Sequence, residues 1–142
     1  MIRTARAELD APPEDVWALV AEPYHLPDWW PGYRGVVPDR RGVAPDARWT
    51  VRRADRPGFV RRPGGEALLL IRRVDPLREL AWLDVRQRIE AGVRLAPASG
   101  RRTEATAFVA GPWWRLTLEG AGALPEQAVK RLRDLCQTAR EL

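Results

Sequence analysis

The chain has 142 residues, 45% of them hydrophobic, and a formal net charge of +5. That length and apolar content suit one domain (1–142) with a real core and exclude wholesale disorder. No run approaches the roughly 18 consecutive apolar residues that span a bilayer, and the lone Cys136 excludes an internal disulfide and a cysteine-rich zinc centre.

From Met1 to Arg6 no apolar signal segment appears, so a cytoplasmic protein is expected. Ala11-Pro12-Pro13-Glu14-Asp15-Val16-Trp17-Ala18-Leu19-Val20 reads as a short helix. Proline is tolerated where the first N–H groups have no intrahelical partner, and Glu14 and Asp15 suit the positive end of the dipole. Val16, Leu19 and Val20 form its apolar stripe, and Trp17 widens it as a core-filling residue. Pro23 stops the helix. Pro23, Pro27 and Pro31 then allow only about a turn of helix before a bend, in a segment that holds His25, Tyr24, Trp29, Trp30 and Tyr33.

The middle of the chain alternates as strands do. The pattern runs through Trp49 to Val51, Leu80 to Val85, Ile89 to Leu95 and Thr103 to Val109. Ala67 to Ile71 is an unbroken apolar run that periodicity alone leaves open between strand and buried helix. The flanking Pro63-Gly64-Gly65 and Asp75-Pro76 favour strand. Further turns are expected at Pro38-Asp39, Gly42 to Asp46, Pro57-Gly58 and Pro97 to Gly100. Short connections of this kind point to an antiparallel sheet. Pro112 to Leu118 is compatible with helix, a cap over a cavity, or an edge strand. The chain ends in a helix started by Pro125, with Val129, Leu132, Cys136 and Ala139 on one face and Leu135 and Leu142 beside them. An isolated helix of this length is marginal, so its stripe must dock, and the concave face of the sheet is the available surface.

Of the 24 basic residues only Lys130 is lysine, and 19 acidic residues are interspersed among them. A contiguous basic face is what a nucleic-acid site needs. The bias is better explained by a GC-rich bacterial genome, so no nucleic-acid partner is expected.

The order of one strand, two short helices, about six more strands and a long helix resembles the START-like, or SRPBCC, superfamily of polyketide cyclase/dehydrase and lipid-transfer proteins. The resemblance rests on Ala11-Pro12-Pro13-Glu14-Asp15-Val16-Trp17, on Trp29-Trp30-Pro31-Gly32, and on the hairpin entry from Pro76 through Leu80 to Trp82. One departure is Gly100-Arg101-Arg102-Thr103, where the family often has Gly-Thr-x-Val. The resemblance implies an α+β helix-grip fold: a curved antiparallel sheet of about seven strands around the C-terminal helix, with a cavity for a small hydrophobic molecule. It also implies a cavity mouth near Trp29, Trp30 and Tyr33. In polyketide-cyclase relatives, arginine and tyrosine groups polarise carbonyls.

Against that background, Trp49 and Trp82 share a strand face with Val51 and Leu80 and are expected to look into the cavity, together with Leu69 and Ile71. Parity with Trp49 and Val51 turns Arg53 inward. Arg73 turns inward only if Leu69 and Ile71 do. A guanidinium in an apolar cavity needs a carboxylate, either Glu104 or Asp84, or an anionic ligand group. Asp84 and Arg86 share parity with Trp82 as a possible polar floor. If chemistry occurs, His25, Tyr33 and Arg73 are the expected acid–base and carbonyl-binding groups. There is no phosphate-binding or dinucleotide motif and no His-Glu-x-x-His, so neither cofactor nor metal is expected. Three functions stay open: a binding module for a lipid, polyketide or aromatic compound, a cyclase/aromatase, and a basic protein- or RNA-interaction module. Leu68 to Ile71 on the convex face would suit a homodimer, the alternative to a monomer.

Overall fold

In chain order the computed structural model, which describes residues 1–54 and 65–141, has strand β1 (Ile2–Leu9), helix α1 (Pro13–Val20), a 3₁₀ turn (Pro23–His25) and helix α2 (Leu26–Trp29). Strands β2 (Tyr33–Pro38), β3 (Arg48–Arg53), β4 (Glu66–Asp75), β5 (Glu79–Asp84), β6 (Ile89–Ala98) and β7 (Arg102–Ala110) follow. Helix α3 (Trp113–Thr117), a second 3₁₀ turn (Ala121–Ala123) and helix α4 (Leu124–Glu141) complete the described chain. The turn expected at Pro57-Gly58, the flank Pro63-Gly64 and Leu142 lie outside the described residues.

The strands pair antiparallel in the order β1-β7-β6-β5-β4-β3-β2. Alternation sets the faces: Trp49 and Val51, Leu69 and Ile71, Leu80 and Trp82, Ala91 and Val93, and Ala105 and Ala107 are all buried on the concave side. The Ala67–Ile71 run is therefore strand, with Leu68 exposed and Leu70 half-buried on the outer face. Pro97, expected in a turn, continues β6; the reversal falls on Gly100 and Arg101, both at positive φ (72° and 59°). That left-handed pair matches the twist of the flanking strands.

At Gly92 a β-carbon would lie 2.2 Å from the Leu80 carbonyl oxygen, so the sheet's tightest backbone approach requires glycine there. Phe108 stands opposite Gly92 and is sealed from outside by the Arg94 guanidinium, 4.4 Å above its ring.

Helix α4 lies over β1 and β7 and touches α2. It buries Ala128, Val129, Leu132 and Cys136, whereas Ala139, expected on the same stripe, is exposed. The stripe ends a turn early because the last turn is held by charge: Arg140 pairs with Asp10 in the β1–α1 connection. This hydrogen bond holds the Asp10 carboxyl below its ordinary value, helped by the nearby charges of Arg140 and Arg102. Thr103 is buried and donates to the Ala11 carbonyl at 2.7 Å, fastening the same junction to β7. Among the described residues no helix is long and apolar enough to cross a membrane.

Candidate functional site

Trp29, Trp30 and Trp82 meet in the palm as a cluster of edge-on indoles. Their ring centres lie 5.9 Å (Trp29–Trp30), 5.8 Å (Trp29–Trp82) and 5.1 Å (Trp30–Trp82) apart. Trp29 and Trp30 arrive on α2 and its C-cap, which Pro27 and Pro31 bracket, and Trp82 rises from β5. Trp82 Nε1 donates to the Tyr33 hydroxyl at 3.2 Å. Trp29 Nε1 is buried without a partner among the described residues.

Beside this cluster a cleft of about 640 Å³ opens at one end of the sheet. Its aromatic wall is Trp30 and Tyr33, and its apolar floor is Ile89, Ala91 and Val109. The segment Thr117 to Ala121 and the start of α4, Leu124 and Gln127, form the opposite side. The segment Pro112 to Leu118 thus combines a short helix with a cap over the cleft. Docking as expected, α4 buries Val129, Leu132 and Cys136 against the core. The cleft touches only the helix's N-terminal end.

Polar groups in the cleft are the side chains of Tyr33, Gln87, Thr117, Glu119 and Gln127 and an ion pair. Arg53 Nη1 donates to Asp84 Oδ2 at 2.6 Å, and Nη2 donates to Oδ1 at 3.1 Å. Gln87 N–H donates to Asp84 Oδ1 at 3.1 Å. Asp84 is 3% exposed, so this bidentate partner offsets much of its desolvation. Register puts both groups on one face but not opposite each other: Leu69 of β4 aligns with Asp84 on one side and with Trp49 on the other, and Arg53, four residues beyond Trp49, reaches Asp84 along the sheet.

Burial pushes the Tyr33 phenol above the usual tyrosine range, and the negative charge of Asp84 adds to the shift. The unfolded chain ionises Tyr33 near its ordinary value of 10.0, so folding stability is untouched below that pH and falls as pH climbs past it. Tyr33→Phe is expected to raise the midpoint of alkaline unfolding. In the parent chain the Tyr33 share of phenolate absorbance should appear only as tertiary structure is lost, which a pH titration followed by absorbance and near-UV circular dichroism checks.

Of the residues expected at the site, Trp30, Tyr33, Arg53 and Asp84 line the cleft. Trp29 and Trp82 stand behind them as support. Trp49, Leu69 and Ile71 are fully buried core under the sheet, and Trp49 Nε1 donates to the Gly42 carbonyl at 2.7 Å.

Four expectations are corrected. Arg73 lies on the outer face, because the β4–β5 register shifts between Ile71 and Arg73 and reverses the parity after Ile71. There it pairs with Glu79 and Glu90. Arg86 falls in the exposed β5–β6 turn, since β5 ends at Asp84. Glu104 points outward on β7 toward Arg6, 3.7 Å away. His25 is half-exposed beside Asp28, 3.0 Å away, and away from the cleft.

Thr117 and Leu118 fall in the segment for which a cap was one expectation; the residues missed are Pro31, Gly32, Ala54, Gln87, Ile89, Ala91, Val109, Glu119, Gly120, Ala121, Leu124 and Gln127. Parity with Asp84 across the β5–β6 pairing reaches Ile89 and Ala91; nothing local marks the others. Cys136 is buried, and burial raises its thiol pKa, as suits a packing residue.

Residues 2–139 match the family model described as "Polyketide cyclase / dehydrase and lipid transport". No curated protein matches the sequence significantly. Among solved structures, the chain is similar to protein XoxI from Bacillus cereus (11% identity, TM-score 0.74), over 98% of this chain and 97% of that one. It is similar to a Nitrosomonas europaea protein at 18% identity and TM-score 0.72, over 100% and 97%. A Deinococcus radiodurans protein is 20% identical with TM-score 0.66, over 96% and 95%. These likenesses establish the helix-grip fold. With the family model spanning nearly its whole length, the chain belongs to the polyketide cyclase/dehydrase and lipid transport family of SRPBCC-type proteins.

Proposed function

We propose that residues 1–142 act as one binding unit for a small, largely apolar molecule with one polar end, held in the cleft beside Trp30. The observation that carries this reading is the cleft itself. About 640 Å³ lies between an aromatic wall and an apolar floor, with the Arg53–Asp84 pair and the Tyr33 hydroxyl gathered at one place. Pockets of this size and make-up suit compact ring-bearing ligands, the apolar area supplying affinity and the few polar groups orientation. Each buried CH₂ contributes about 0.8 kcal/mol, so a ligand of modest size suffices for micromolar binding. The test is a panel of fatty acids, sterols, aromatic polyketides and flavonoids, read by quenching of tryptophan emission and by thermal shift. Saturable quenching accompanied by a raised Tm is expected for at least one class; no response from any class would contradict the reading.

A second reading is favoured by Tyr33 alone. Its phenol stays protonated and keeps its proton for donation to a ligand oxygen, because its own oxygen accepts from Trp82. Such a donor polarises a carbonyl for ring closure. In this reading Tyr33 keeps the catalytic place expected of it, Arg53 takes that of Arg73, His25 has no part, and Tyr33→Phe abolishes turnover of a poly-β-ketone substrate while leaving its binding intact.

A further inference from the structure

Ten large apolar side chains are exposed among the described residues, and six of them gather at one end of the molecule. These are Met1 (59%), Ile2 (55%), Val85 (45%), Trp113 (58%), Trp114 (39%) and Leu118 (73%). The backbone places them together. Met1 and Gly111 exchange N–H···O bonds of 3.0 and 3.2 Å, which sets the start of β1 beside the entry to α3. A β-carbon at Gly111 would lie 3.3 Å from the Arg88 carbonyl oxygen, so the β5–β6 turn abuts the same spot. Gly122, after α3, approaches the Arg3 side chain.

The charges at this end are as one-sided as the apolar groups. Arg3, Arg86 and Arg88 are exposed and have no ion-pair partner among the described residues. Two carboxylates at this end are engaged elsewhere, Asp84 by Arg53 and Glu119 by Arg115 at 3.2 Å, while Glu126 at the start of α4 is exposed. Two exposed indoles and a leucine at the same end as three free arginines, with the Arg115 guanidinium 4.3 Å above the Trp114 ring, match the headgroup layer of an anionic bilayer, where indole sits at the polar boundary and guanidinium meets phosphate. A second copy of the chain fits less well, since it would bring the same unpaired arginines face to face. The mouth of the cleft, at Leu118, Gly120 and Gln87, opens at this end too.

We propose that this end, centred on α3 and the β5–β6 turn, seats the protein on the surface of an anionic membrane. The surface stands on its own features, whatever the cleft holds.

Co-sedimentation of the full chain with vesicles of phosphatidylcholine, with and without phosphatidylglycerol, tests it. Binding is expected only with phosphatidylglycerol and should weaken as salt is raised. Trp113→Ser with Trp114→Ser should lower partitioning by about tenfold or more, from lost apolar burial. Arg86→Gln and Arg88→Gln should each lower it roughly fivefold. All four positions are exposed, so Tm serves as the folding control. Leu118 is kept, so that uptake of a neutral probe such as phenylnaphthylamine reports on the cleft separately. Absence of vesicle binding, indifference to phosphatidylglycerol, or indifference to the tryptophan pair would overturn the proposal. So would a concentration-dependent dimer that the tryptophan substitutions dissolve, which would assign the surface to a second copy.

Discussion

Arg53→Met is expected to lower the unfolding free energy by about 3 kcal/mol, which for a chain of this length is a Tm drop of roughly 10 °C. The substitution preserves much of the side chain's volume and removes its charge. Asp84, 3% exposed, keeps the Gln87 N–H as its partner among the described residues once the guanidinium is gone. A buried carboxylate that loses its partner costs far more than the pair contributes. The double variant Arg53→Met with Asp84→Leu should therefore recover most of the loss, because it removes both charges. Urea denaturation of the two single variants and the double variant checks this. A double variant no more stable than Arg53→Met would show that the arginine acts through packing and not through Asp84.

Trp82→Ala should be at least as damaging, costing about 3–5 kcal/mol. Trp82 is fully buried, meets Trp29 and Trp30 edge-on, and gives its N–H to Tyr33. Its loss leaves a cavity at the centre of the palm and takes the N–H bond from Tyr33 as well. Trp113→Ala is the contrast: the same residue type, 58% exposed, should change stability by no more than about 0.5 kcal/mol. Chemical denaturation of the two variants compares them directly, and equal losses would contradict the placement of the indoles.

The fold was legible in the sequence because each element carries its own periodicity. Proline at Pro13 and Pro125 marks helix starts, and period-two burial runs through Trp49 to Val51, whereas in β5 Ala81 on the outer face is buried along with Leu80 and Trp82. Parity put Arg53 on the face of Trp49 and Val51 and Asp84 on that of Trp82, but left Glu104 open as the partner; the structure puts Asp84 there. Parity failed where strands stop being regular. The register shift after Ile71 carried Arg73 to the outside, and the end of β5 at Asp84 freed Arg86 from alternation altogether. Neither a bulge nor a strand end has a signature in this local sequence. The capping segment was illegible for another reason. Pro112 to Leu118 has an apolar composition without a period, so nothing local tells that Thr117, Leu118 and the residues after them line the cleft.

The charge excess acquires a structural sense as well. Several described arginines pair with carboxylates, as in the Arg73, Arg94, Glu79 and Glu90 group on the outer face. Exposed pairs of this kind add little stability individually. They do leave the surface charges mixed in sign, as the interspersed acidic residues suggested.

The binding role depends on the space beside Trp30 being open to an apolar guest. Fluorescence titration with phenylnaphthylamine, comparing the parent chain with Ala91→Trp, measures this most directly, because Ala91 is on the cleft floor and an indole there occupies the space. Saturable enhancement in the parent chain and its loss in a folded Ala91→Trp variant are predicted. No enhancement in the parent, or the same enhancement in both proteins, would contradict the account.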